Sequence, residues 1–168
     1  MDLQKAIEGR RSIRKYSEHP VEEEKLTAVL NAARLAPSAN NLQEWRFVVV
    51  RDAKKIEALE IAADGQKFVG QAPVVIAACA LPGRRMMCGQ LTDAVDVSIA
   101  MSFLILKAYE LGLGTCWLGH FDADQVKKVL EIPGDLSVVA LSPLGYPAET
   151  PAPRARKELA EIVHYDKY

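Results

Sequence analysis

Apolar positions recur along this chain with helical and strand periods, and the changes between them predict its elements. Near the start, Leu3, Ala6 and Ile7 share a helical face behind Asp2, an N-cap residue, and Gly9 loosens the helix end. Pro20 opens a second helix with Glu22, Glu23 and Glu24 in its first turn, where unpaired backbone N–H groups favour negative charge. Leu26, Val29, Leu30 and Ala33 form its apolar stripe, and Pro37 stops it. Phe47 to Val50 is a short β-rich run, followed by a helix through Ile56 and Leu59, and Pro73 introduces a second strand, Val74 to Ala80.

The segment from Asp93 to Leu111 predicts a long helix that is apolar on nearly every face between Ala94 and Leu106. That stretch falls short of the roughly 20 apolar residues a bilayer span needs, so the helix belongs inside something large. Gly112 and Gly114 end it, and Thr115 to Leu118 reads as a strand. Asp122 and Gln125 have N-cap and N3 spacing for a helix ending near Leu130, and a final strand runs from Leu136 to Leu144. The tail, Ala148 to Tyr168, has one short helical pattern, Leu159 to Val163, and little core to join, so it is expected to wrap another surface. Strands mixed with helices and few hairpin signals predict one α+β sandwich domain over residues 1–168, its central helix covered by a second copy in a homodimer.

At 168 residues, 49% hydrophobic and 26% charged, the chain can bury a core without staples. A net charge of -1 supplies no basic field for nucleic acid or an anionic membrane, and neither is expected as a partner. Cys79, Cys88 and Cys116 show no Cys-x-x-Cys pair, and His19, His120 and His164 have no metal spacing, so no metal site and no histidine catalysis is expected. Met1 runs straight into the amphipathic Asp2 to Gly9 stretch without an export signal, which with unpaired thiols predicts a cytoplasmic protein.

Two polar clusters change the picture. Arg10, Arg11 and Arg14 lie within five positions, so a loop there can turn guanidinium forks toward one phosphate while Ser12 adds a hydroxyl. The same spacing also suits a solvated loop paired with Glu18 or Glu22. Asn40, Asn41 and Gln43 follow Pro37-Ser38 and precede Trp45, placing amides that both donate and accept at a helix end. Such amides match the alternating donors and acceptors of an isoalloxazine edge, and equally satisfy their own loop backbone.

The order Arg10-Arg11-Ser12-Ile13-Arg14-Lys15-Tyr16, then Ala36 to Val50, then Gly112 to Gly119, then Ile162-Val163-His164-Tyr165 resembles the nitroreductase family of FMN-dependent oxidoreductases across essentially the whole chain. The resemblance implies a three-layer sandwich, a mixed and mostly antiparallel sheet flanked by helices, in an intertwined homodimer whose 148–168 tail wraps the partner. It further implies FMN at the interface, reduced by NADH or NADPH and reoxidised by small acceptors such as nitroaromatics or quinones in a ping-pong cycle. Specialised branches acting by dehalogenation, enoate reduction or dehydrogenation, and a non-catalytic flavin-binding module, share the pattern.

By that resemblance Arg10, Arg11, Ser12 and Arg14 match the segment that binds the FMN phosphate and ring edge, and Arg156, ahead of Arg154, matches a second phosphate clamp. Pro37, Ser38, Asn40 and Gln43 match the segment contributed by the partner, Lys67 a lysine near the pyrimidine, and Leu118 with Gly119 the turn whose N–H faces flavin N5. The flavin carries the chemistry, so no side-chain nucleophile is implied. Glu44 stands where the family commonly has proline and is expected to face solvent, and the stretch from Leu81 to Leu91 is shorter than the family's larger lids.

Overall fold

The protein's computed structural model describes residues 2–168, and its centre is the strand β2, Val74–Ala80, buried along its entire length. An uninterrupted apolar run is what a strand covered on both faces requires. Val75, Ala77 and Cys79 join one core with Ile56, Leu59, Val126 and Leu130, while Val74, Ile76, Ala78 and Ala80 join another with Leu26, Val29, Met101 and Leu104. The period of two thus feeds a helical layer on each side.

One layer holds α3 (Ala53–Ala62), the short α4 (Lys67–Gly70) and α6 (Ala123–Leu130); the other holds α2 (Glu23–Arg34) and the long α5 (Thr92–Glu110). The sheet runs β1 (Trp45–Val50), β2, β4 (Ser137–Gly145), β3 (Gly114–Thr115), each neighbour antiparallel. A lone parallel bridge, Ser12 to Thr115, brings the arginine loop to the sheet edge. The predicted α+β three-layer sandwich is what forms.

Three boundaries differ from the sequence pattern. The predicted strand Thr115–Leu118 is broken: Gly114 and Thr115 pair with β4, Leu118 pairs alone with Leu141, and the backbone between leaves the ladder. Glu22 is the N-cap of α2 rather than a member of its first turn, because its carboxylate accepts the Tyr146 hydroxyl at 2.7 and 2.8 Å instead of capping the helix. The tail's helical pattern gives only the 3₁₀ turn Leu159–Glu161, whose Leu159 is 68% exposed.

Helix α5 is buried on one side only. Val97, Ala100, Met101, Leu104 and Ala108 face the sheet, while Val95 and Phe103 remain 36% and 42% exposed on the outer side. Leu3 and Ile7 of α1 (Leu3–Gly9) are 67% and 53% exposed, and with Ala6, Phe103 and Leu106 they line an apolar cavity of about 480 Å³.

Candidate functional site

The chain leaves α1 at Arg10 and is pinned to the sheet edge at once. Ile13 N–H donates to the Thr115 carbonyl at 2.9 Å, and the buried Tyr16 hydroxyl donates to the Ile13 carbonyl at 2.8 Å. Burial pushes the Tyr16 hydroxyl far above its ordinary range, so it serves as a fixed donor. Arg11 folds back, its Nη1 donating to the Glu8 and Arg10 carbonyls at 2.6 and 2.9 Å, where cations suit a helix C-terminus. Arg14 N–H donates to the Glu149 carboxylate at 2.5 Å, and its guanidinium lies 5.8 Å from the Phe68 ring centroid.

These pins bring Arg10, Arg11, Ser12 and Arg14 to one groove of about 320 Å³, shared with Arg154, Arg156 and Glu149. Among the described residues, none of the five guanidiniums forms an ion pair. The alternative of a solvated loop paired with Glu22 fails, because Glu22 is engaged with Tyr146 and Lys25. Five guanidiniums around one carboxylate concentrate positive charge and unused donors in this groove, the chemistry that anions require. Arg156 Nη1 reaches only the Arg154 and Ala155 carbonyls, at 3.4 and 3.3 Å, and keeps donors free.

Lys67 opens α4 next to Phe68, the ring that carries Arg14. Its Nζ donates to Glu60 Oε1 at 2.6 Å, and this bond holds the ammonium above its ordinary range. Leu118 and Gly119 part company. Leu118 N–H is spent on the Leu141 carbonyl at 2.9 Å, so it has no donor to offer a ligand and the expectation for Leu118 is corrected. Gly119 N–H has no partner among the described residues, and a Cβ built there meets nothing within 4 Å, so the space above it is open.

The Asn/Gln loop is strained and anchored elsewhere. Asn40, Asn41 and Gln43 adopt φ of 51°, 55° and 53°, a left-handed conformation that costs roughly 1–2 kcal/mol per residue. Ser38 Oγ accepts the Gln43 N–H at 3.1 Å, and both oxygens of Asp96 accept the Ala39 N–H at 3.2 Å. Pro37 and Asn40 are exposed. Asp96 lies near the start of α5, whereas Arg10 lines cavities with Ser102, Ile105 and Tyr109 along its second half. From Asp96 the helix rises about 9 Å to Ser102 and about 20 Å to Tyr109. The lining of the arginine groove accordingly includes none of Pro37, Ser38, Asn40 or Gln43.

Several participants escaped the sequence pattern. Asp96 had a signal, as the one acid inside the apolar Ala94–Leu106 stretch; Glu149, Glu60 and Phe68 had none. Glu44 does not face solvent as expected: its side chain is 23% exposed, Oε1 lies 3.6 Å from Arg84, and Oε2 is buried without a hydrogen bond. The Leu81 N–H bond to its carbonyl at 2.9 Å turns the side chain inward against the Leu81–Leu91 segment.

All three cysteines are unpaired, with Cys79 and Cys116 buried and Cys88 exposed. Burial pushes the Cys79 thiol up to about 11 and raises Cys116 as well, so neither offers a thiolate near neutrality. A thiol-reagent titration should count one fast thiol in native protein and all three after denaturation. A fast reaction at Cys116 would contradict its placement under the arginine loop.

The sequence model described as the Nitroreductase family matches residues 7–68 and 57–146. A Thermus thermophilus protein named NADH dehydrogenase is 36% identical over 200 residues, covering 97% of this chain and 95% of the relative. A Bacillus subtilis protein named FMN reductase, with NAD(P)H in its name, is 28% identical over 182 residues, covering 98% of this chain and 73% of the relative. The crystal structure of a nitroreductase family protein from Clostridium difficile 630 superposes with a TM-score of 0.90 at 30% identity, covering 100% of both chains. With the sandwich, the arginine groove and a full-length likeness in agreement, the chain belongs to the nitroreductase family.

Proposed function

We propose that this protein is an FMN-dependent oxidoreductase that takes electrons from NADH or NADPH and passes them to nitroaromatic, quinone or similar small acceptors. The observation that carries this reading is the groove where five guanidiniums without an ion pair surround Ser12, joined through Arg14 and Phe68 to the Lys67 turn. The names of the relatives, NADH dehydrogenase and FMN reductase, support the same donor and cofactor.

The residues fit the group. Arg10, Ser12, Arg14 and Arg156 would grip the phosphate, Arg11 would brace the loop from the α1 end, and the open Gly119 N–H would meet the ring. When bound, FMN supplies two-electron redox chemistry, which no side chain here can provide. Lys67, kept charged by Glu60, favours electron-rich forms of the pyrimidine, and one open face serves nicotinamide and acceptor in turn.

The reading includes a homodimer in which Pro37, Ser38, Asn40 and Gln43 serve the partner's flavin, since none of them lines the groove formed by their own arginines. The exposed apolar residues Leu3, Ile7 and Phe103 form the contact, and the tail from Ala148, with Leu159 68% and Ile162 59% exposed, packs on the partner. Phe103→Asp should convert a dimer into a monomer that loses flavin, read by analytical ultracentrifugation; a dimer of undiminished stability would place the contact elsewhere. No helix of the described residues is long and apolar enough to cross a membrane, and the free thiols suit the cytoplasm.

The decisive experiment is the anaerobic visible spectrum before and after NADH or NADPH, with identification of any flavin released by heat. An oxidised-flavin spectrum, released FMN and bleaching by nucleotide support the assignment. A colourless protein that cannot be reconstituted with FMN would overturn it.

A further inference from the structure

The turn that presents Gly119 also presents a histidine with no part in holding the cofactor. His120 is tied twice to the turn after α3: Gln66 Nε2 donates to its carbonyl at 3.1 Å, and its ring Nε2 lies 3.2 Å from Asp64 Oδ2. Asp64 and Gly65 adopt φ of 58° and 70°, which doubles the chain back and lets Asp64 and Gln66 reach the same residue. Asp122 N–H closes the far side on the Ala62 carbonyl at 2.8 Å. Asp64, Gly119, His120, Phe121 and Gln125 line a cavity of about 540 Å³ at this point.

An ionised carboxylate only accepts, so Nε2 carries its proton toward Asp64. Nδ1 is left without a partner among the described residues, bare in the neutral ring and an N–H donor in the imidazolium. Asp64 therefore fixes the orientation of the ring.

We propose that His120, oriented by Asp64, donates the proton that a quinone acceptor needs as it is reduced. The proposal rests on the flavin reading, which puts the ring at Gly119. Reduction of a quinone to a hydroquinone takes two electrons and two protons. The reduced cofactor delivers the electrons with one proton as a hydride equivalent; the other passes from His120 Nδ1 to a quinone oxygen, and the neutral imidazole regains a proton from water. The charged groups lining the same cavity are Asp64 and Asp122, whose carboxylate accepts the Asp124 and Gln125 N–H groups at 3.0 Å; Lys67, next in sequence to the Gln66 that holds the His120 carbonyl, is engaged with Glu60.

The test uses FMN-loaded His120→Gln and Asp64→Asn, both at exposed positions that folding tolerates. Stopped-flow reoxidation by p-benzoquinone should slow on the order of 100-fold in His120→Gln. The pH dependence of the wild-type quinone rate should flatten in this variant. Ferricyanide, which accepts electrons without protons, should keep its rate, as should reduction by nicotinamide. Asp64→Asn, which frees the ring to turn, should slow the quinone step in the same direction and leave the ferricyanide rate unchanged. With three histidines in the chain, the ring resonance absent from His120→Gln is assignable, and it should move when FMN is added to apoprotein. An unchanged quinone rate and pH profile, equal losses with quinone and ferricyanide, or an unmoved resonance would overturn this role while leaving the flavin reading intact. Failure to bind FMN would overturn both.

Discussion

Arg10→Ala is expected to weaken FMN binding by about 10- to 100-fold, the loss of one charge-assisted contact worth roughly 1.5–3 kcal/mol. Arg10 is half-buried, lines the arginine groove and both cavities beside the end of α5, and makes no ion pair that its removal would break within the protein. Gly119 is not among the residues lining the arginine groove, so at saturating FMN the rate of reduction by nicotinamide should stay close to wild type. Fluorescence titration of apoprotein with FMN and single-turnover reduction separate the two quantities. Equal dissociation constants would return the groove to being a solvated loop. Arg11→Ala provides the contrast: its Nη1 is engaged by the Glu8 and Arg10 carbonyls at the end of α1, so part of its effect should appear as lost stability.

Leu104→Ala should destabilise the fold by about 2–5 kcal/mol, the range for opening a cavity in a packed core. Leu104 is fully buried on the inner face of α5, in one cluster with Leu26, Val29, Ile76 and Leu144. The helix joins the core layer to the cavities around Arg10 and to the Asp96 anchor, so the loss should reach flavin retention as well. Urea unfolding with and without FMN measures both. A change below about 1 kcal/mol would mean that α5 repacks around the gap, which close packing of interiors opposes.

The elements whose burial follows their own period were legible in the chain. The run Val74 to Ala80 is a strand at the expected bounds, and Asp122 caps α6 with its carboxylate on the Asp124 and Gln125 N–H groups, as the spacing predicts. The arginine cluster was equally legible as a group, because Arg10 and Arg14 are close in sequence and a loop has little choice but to keep them together. Their remote partners were not. Glu149 reaches Arg14 N–H, and Arg154 and Arg156 enter the same groove, only because β4 and the segment after it run back beside the loop.

Two local expectations failed for tertiary reasons. Glu44, polar and beside a turn, reads as a surface residue, yet it turns inward because its backbone accepts the Leu81 N–H and Arg84 stands opposite. Leu118 sits in a plausible ligand-facing turn, but its pairing with Leu141 consumes its N–H and passes that position to Gly119. Neither partner is near in sequence, so no local pattern could signal the outcome.

What the sequence determined by itself is the set of layers, the order of elements and the chemistry available: a two-sided strand, an over-apolar helix, clustered guanidiniums and an amide-rich loop. These follow from periodicity and from side-chain types, which act over a few residues. Only the tertiary structure decided which donors remain free, which side of α5 stays open, that Asp64 holds His120, and that the amide loop stays out of the arginine groove. Those outcomes depend on contacts between residues distant in the chain, where each backbone N–H and each carboxylate can be used by only one set of partners.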